Sequence, residues 1–212
     1  KGTFSKADNL YIDITYKNFQ KILREREKAL LKGKLIQDDD SSQKAFLTFK
    51  NKKYPAQIRL KGDLTDHFKG TNQWSFRVRL LNDKTIYGMK KFSLHVPKTR
   101  NYLGDSIYHR FLKYENLPSL RNKVIQLNLN GKNLGTYTIE EHFDKYLIEN
   151  NKLREGIIIG LNESSWWNGQ SESYLKNQIS LNEDYFKNWP TRTFDRKRIR
   201  NNSNLQDQYI FA

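Results

Sequence analysis

A chain of 212 residues with 36% hydrophobic and 13% aromatic content can bury a substantial core, and none of its runs approaches the roughly 18 apolar residues of a membrane helix. Its 38 basic and 23 acidic residues leave a formal charge of +15, which favours phosphates, anionic polymers or an anionic surface as partners. The absence of cysteine excludes a disulfide framework and a thiolate metal site alike. The only methionine is Met89 and the first residue shown is Lys1, so residues are expected to have been removed ahead of it.

Residues 10–15 alternate and predict a short strand. In 16–32, Phe19, Ile22, Leu23 and Leu30 recur near helical spacing, and Gly33 follows as the residue after the C-cap. Asp38, Asp39, Asp40, Ser41 and Ser42 read as a solvated connection rather than a metal site, because three adjacent carboxylates cannot all face one ion. Segments 45–49 and 55–61 flank the turn-forming Asn51, Lys52 and Lys53, which predicts a hairpin. A loop bracketed by Gly62 and Gly70 leads into a strand at 74–80. Turns follow at Asn82 and Asp83 and at Gly88. A strand over 91–96 carries Phe92, Leu94 and Val96 on one face and ends at Pro97. Residues 105–114 predict a helix whose Ile107, Phe111 and Leu112 share a face, with Pro118 soon after. The Asn130-Gly131 pair between alternating runs marks a hairpin over 124–139, because both residues tolerate positive φ, and Gly135 suggests a bulge. A helix over 143–150 and a strand over 156–161 complete the predictable elements. From Asn162 the chain is rich in Asn, Ser and Trp and gives no clear periodicity.

The alternation also sorts charges. Ile58 and Leu60 face a core while Arg59 and Lys61 share the other side, and Trp74, Phe76, Val78 and Leu80 alternate with Ser75, Arg77 and Arg79. Pairing of these strands puts up to four cations on one face. Like charges that close repel by about 1 kcal/mol per pair even in water, so such a face suits an anionic partner, a polyphosphate above all. The alternative is a solvated face tempered by acidic neighbours.

Five short blocks in order, Arg59-Leu60-Lys61-Gly62-Asp63, Trp74-Ser75-Phe76-Arg77, Gly88-Met89-Lys90-Lys91-Phe92, Leu129-Asn130-Gly131 and Gly135-Thr136-Tyr137 before Glu140-Glu141, resemble the CotH kinase family, named for spore coat protein H. The resemblance spans roughly residues 56 to 145. It implies an atypical protein kinase, secreted or surface-associated, that uses ATP with magnesium to phosphorylate serine or threonine of a protein substrate. It also implies an α+β fold: a mostly antiparallel sheet with packed helices, in which 1–44 supply a strand and helix, 45–145 form a kinase-like small lobe and 146–212 begin a second lobe. Carried over, it sets Arg59, Lys61, Arg77 and Arg79 near the nucleotide phosphates, where guanidiniums bind oxygen pairs. Glu140 and Glu141 fall where strand passes into hinge; either could fix the nucleotide side or the strand register, or serve as an acid at a helix N-terminus. Asp105 is placed to pair with a basic strand residue, or to act as an N-cap.

The family's large lobe supplies metal-binding carboxylates, and none of Glu163, Glu172, Glu183, Asp184, Asp195 or Asp207 stands in an Asp-Phe-Gly or catalytic-loop context. His67, His95, His109 and His142 form no clamp at metal-ligand spacing and read as structural or solvent-facing. No Gly-x-Ser-x-Gly elbow is present. Trp166 and Trp167 suit core packing, or stacking on a sugar or partner. The densest basic cluster, 192–200, reads as a solvated helix face or tail. Two other functions fit the composition: a non-catalytic module holding an anionic envelope polymer, and nonspecific nucleic-acid binding. The second is disfavoured by basic residues spread along the whole chain and by the lack of any zinc-finger, helix-turn-helix or RNA-recognition signature.

Overall fold

Strand alternation in this chain builds a wall that closes on itself. The computed structural model describes residues 7–36, 41–161 and 191–210, and the chain divides into two compact units, Lys1–His142 and Phe143–Ala212. In the first unit, strands β1 (Asp8–Asp13), β2 (Gln43–Phe49), β3 (Lys52–Leu60), β4 (Phe76–Leu80), β5 (Lys91–His95), β6 (Asn122–Leu129) and β7 (Lys132–Glu141) form a closed barrel in the order β1-β2-β3-β4-β5-β7-β6. All neighbours are antiparallel except β1 and β6, which run parallel and seal it. The expected α+β kinase-like lobe, a mostly antiparallel sheet with packed helices, is therefore wrong: the sheet is a closed mixed barrel with no free edge. Closure removes the unpaired edge amides that an open sheet would present.

Inward positions carry Leu10, Ile12, Leu47, Ile58, Leu60, Phe76, Val78, Phe92, Leu94, Ile125, Leu127 and Ile139, all essentially solvent-free. A barrel of this size is filled by its own side chains, so a ligand has to sit on the outer face or at an end. The Asn130-Gly131 hairpin contributes to the seal. Both residues have positive φ, 48° and 78°, and Asn130 accepts from Ile14 N through Oδ1 at 2.8 Å while its own amide donates to Ile12 O at 2.8 Å.

Helix α1 (Tyr16–Lys32) coincides with the sequence expectation. Thr15 caps it through Asn18 N, and Gly33, at φ 73°, ends it in the left-handed conformation that lacks a Cβ penalty. It packs on β2 and β3. Arg26 from α1 donates to Phe68 O, Lys69 O and Gly70 O and lies 4.7 Å over the Trp74 ring, so the glycine-bracketed loop is tied down at three carbonyls. Helix α2 (Gly104–Tyr114), preceded by a 3₁₀ turn at Pro97–Arg100, lies outside β6 but has no buried residue of its own.

In the second unit, Asp144 caps helix α3 (Lys145–Asn150), β8 (Ile159–Leu161) pairs with β9 (Thr191–Thr193), and α4 (Arg196–Arg200) and α5 (Ser203–Ile210) follow. The basic cluster there is not simply solvated, since Arg198 meets Glu155 at 2.9 Å and Gly156 O at 2.7 Å. Asp38, Asp39, Asp40, Trp166, Trp167, Glu163, Glu172, Glu183 and Asp184 lie outside the described residues. No helix among the described residues is long and apolar enough to cross a membrane.

Candidate anion-binding site

Residues opposite one another across a ladder share a face, so register alone assembles a row on the outside of the barrel. Arg59 of β3 faces Arg77 of β4, Arg77 faces Ser93 of β5, Ser93 faces Glu140 of β7, and Glu140 faces Asn122 of β6. A second row, two residues along, contains Lys61, Ser75, His95 and Thr138; Lys61 N donates to Ser75 O at 2.9 Å. Arg79 shares the face with Gln57 and Lys91 on the other side of the first row and is exposed. The four expected cations thus lie on one side of the wall. Arg59, Lys61 and Arg77 are half-buried, whereas Arg79 is exposed at the margin.

Burial and mutual repulsion shape the cluster. Burial first, then the charges of Arg77 and Arg100, hold the Lys61 ammonium at about 8, against the pull of Glu140 and Asp63. Burial also lowers Arg59, with Glu25 and Asp63 opposing. His142 bonds Arg77, and burial together with Arg77, Lys91, Lys61 and Arg59 depresses its imidazole to about 2. Its ring is therefore neutral at physiological pH, held so by burial first and by the neighbouring cations after it.

The carboxylates divide. Burial would raise Glu140, but the hydrogen bond from His95 at 3.3 Å and the charges of His95, Arg100 and Lys61 outweigh it and leave the carboxyl at about 2. His95 is fully enclosed and burial pushes it to about 4, so at neutral pH its ring donates as an uncharged imidazole and Arg100 and Lys61 supply the charge. Arg100 Nη2 stands 3.8 Å from Glu140 and Nε 3.3 Å from Asp105. Glu141, the adjacent residue, faces the opposite way: Oε2 accepts from Arg121 N at 3.0 Å and Oε1 pairs with the Arg121 guanidinium. Two expectations are corrected here. Glu140 and Glu141 both end β7 and are not helix N-terminal acids, the cap role falling to Asp144; and Asp105 sits in the first turn of α2, not at its N-cap, and pairs with Arg100 rather than with a strand cation.

The loop after Lys61 adds His67, whose Nδ1 lies 3.2 Å from Ser75 Oγ. Gly62, at φ 105°, permits this, since a Cβ there would stand 2.1 Å from the His67 ring. The residues that sequence reasoning left without a role here are His95, Arg100 and His142. His95 shares the polar phase of β5 with Ser93, and His142 follows Glu140 by two, so alternation marked both as facing the same side. Arg100 arrives from a turn and carries no such signal. A cavity of about 700 Å³ lies elsewhere, between Val96, Tyr102, Leu103, Val124 and Tyr137, and none of the four cations lines it. No protein-family model matches the chain, and no curated protein shows significant sequence similarity to it.

Proposed function

We propose that the outer face of β3 and β4 binds the phosphates of a nucleoside triphosphate, and that the chain is a CotH-like protein kinase, or its nucleotide-binding portion, acting on serine or threonine of a protein substrate. The observation that supports this most is the juxtaposition of Arg59 and Arg77 in direct register, with Lys61 one step along the same face. Planar guanidiniums side by side suit the paired oxygens of a polyphosphate, and bonds to ionised groups are about twice as strong as neutral ones. Glu25, Asp63 and Glu140 temper the cluster, while burial first and then Arg77 and Arg100 make Lys61 lose its proton more readily than a free lysine. An arriving anion reverses that penalty.

ATP and magnesium enter through the family resemblance. Glu140 and Asp105 are engaged by His95 and Arg100, and among the described residues no group of three His, Asp or Glu side chains is arranged to hold a metal ion. The support that the described residues give this reading is for phosphate binding.

The test is the affinity for Mg-ATP and Mg-ADP of the wild type, of Arg77→Ala/Arg79→Ala and of Lys61→Met. Each variant is expected to weaken binding by about tenfold or more, consistent with about 1.5–3 kcal/mol for a hydrogen bond to a charged group. Unchanged affinity removes these side chains from the site. A second reading, an anionic-polymer module, draws on the exposed Arg79 beside Lys91 at the margin of the cluster. Heparin or DNA binding that collapses with salt and ignores magnesium would favour it.

A further inference from the structure

Helix α2 turns its apolar stripe outward. Leu103, Ile107, Phe111 and Tyr114 follow one another at three- and four-residue spacing on one side of the helix, and Ile107 is 64% exposed, Phe111 54% and Tyr114 81%. Tyr108 and Leu117 widen the patch, and both are at least half exposed. The polar side faces the barrel instead: Ser106 donates to Asn122 Oδ1 at 2.6 Å, and Asp105 is held by Arg100. Contiguous exposed apolar surface of this kind marks an interaction site rather than ordinary scatter.

We propose that this face of α2 docks on an anionic lipid surface. Charge complementarity selects that occupant. Lys98, Arg110 and Lys113 border the stripe and are exposed, while Asp105 is already paired, which leaves Glu115 as the acid on the helix not matched by Arg100. Arg110 sits one turn from both Ile107 and Tyr114, where its guanidinium reaches headgroup phosphates as the apolar side chains enter the acyl boundary. Tyr102, Tyr108 and Tyr114 suit the headgroup level, where an amphipathic ring keeps its hydroxyl wet. A second copy of the chain is a poor occupant, because it would bring the same cations and a charge of +15 against themselves. The pocket lined by Val96, Tyr102, Leu103, Val124 and Tyr137, and also by Gln73, Thr136 and Thr138, adjoins the N-terminal end of the stripe, with Lys98 on its wall.

The experiment is co-sedimentation with vesicles of phosphatidylcholine alone and of phosphatidylcholine containing one third phosphatidylglycerol. The wild type is expected to bind the anionic vesicles at least about tenfold more tightly than the neutral ones. Ile107→Ser/Phe111→Ser should lose about tenfold or more on the anionic vesicles, whereas Leu31→Ser, which changes an exposed leucine on α1, should bind as the wild type does. Hydrogen exchange adds an independent reading: amides of 104–114 should gain protection on anionic vesicles. Failure of the wild type to bind them overturns the proposal. So does equal binding by the double variant, which would mean that net charge alone attracts the protein, and so does protection that omits α2.

Discussion

The outer wall of β3, β4, β5 and β7 and the outer face of α2 invert what their sequence patterns suggest. Alternation marks Arg59, Lys61 and Arg77 as solvent-facing, yet they are half-buried among His95, Glu140 and Arg100. Helical periodicity marks Ile107 and Phe111 as core-facing, yet both are more than half exposed. A period states which residues share a face and nothing about what covers it. Cover comes from distant chain: the turn carrying Arg100 and the loop carrying His67 lie over the strand cations, and nothing among the described residues lies over the α2 stripe to the same degree.

The largest break in this contrast is expected at the end of β7, where Glu140 and Glu141 point to opposite faces. Glu141 is 2% exposed and its partner is Arg121. Removing one member of a buried pair strands the other charge, so Glu141→Ala should lower unfolding free energy by about 3–5 kcal/mol. Glu140→Ala should lose less, because Arg100 retains Asp105. Denaturant unfolding measures both, and an equal loss would mean that the two acids share one environment.

A smaller effect, of opposite sign, belongs to Lys61. Its folded value near 8 lies below the ordinary 10.5, so between pH 8 and 10.5 the unfolded chain binds the proton that the folded chain has released. Stability then rises with pH across that window, and at pH 7 the buried ammonium is a burden. Lys61→Met should stabilise the protein at pH 7 by an amount on the order of 1–3 kcal/mol, and the gap between variant and wild type should close as pH climbs toward 10.5. Tyr87 and Tyr137, whose phenols burial holds above their usual range, act in both proteins and cancel in the difference. A variant less stable than wild type throughout would mean that the ammonium is welcome where it lies.

Local signals carried most of the elements. The apolar spacing of α1 and Gly33 marked that helix and its end, whereas its cap, Thr15, read as the last residue of a strand, and the Asn130-Gly131 pair located the β6-β7 hairpin. Barrel closure was not legible, because β1 and β6 lie more than a hundred residues apart and their parallel pairing leaves no local mark; the bond from Ile14 N to Asn130 Oδ1 joins two segments that each look like an ordinary strand end or turn. The candidate site was half legible for the same reason. Arg59 and Arg77 were readable as neighbours once β3 and β4 were paired, but Glu140 joins their row only through the β5-β7 pairing, which skips over α2 and β6. Arg100 comes from a turn whose approach no periodicity encodes.

The smallest expected effect tests the other half of the contrast. If α2 is exposed along its stripe, Ile107→Ser and Phe111→Ser remove little buried area, and each should change unfolding free energy by no more than about 0.5 kcal/mol. Phe92→Ala, inside the barrel and fully enclosed, should cost about 3–5 kcal/mol by leaving a cavity among close-packed neighbours. Thermal and denaturant unfolding of the three variants side by side fixes the comparison. Losses of several kcal/mol at Ile107 and Phe111 would show that the stripe is packed against protein in solution, and would reassign α2 from an open docking face to part of the core.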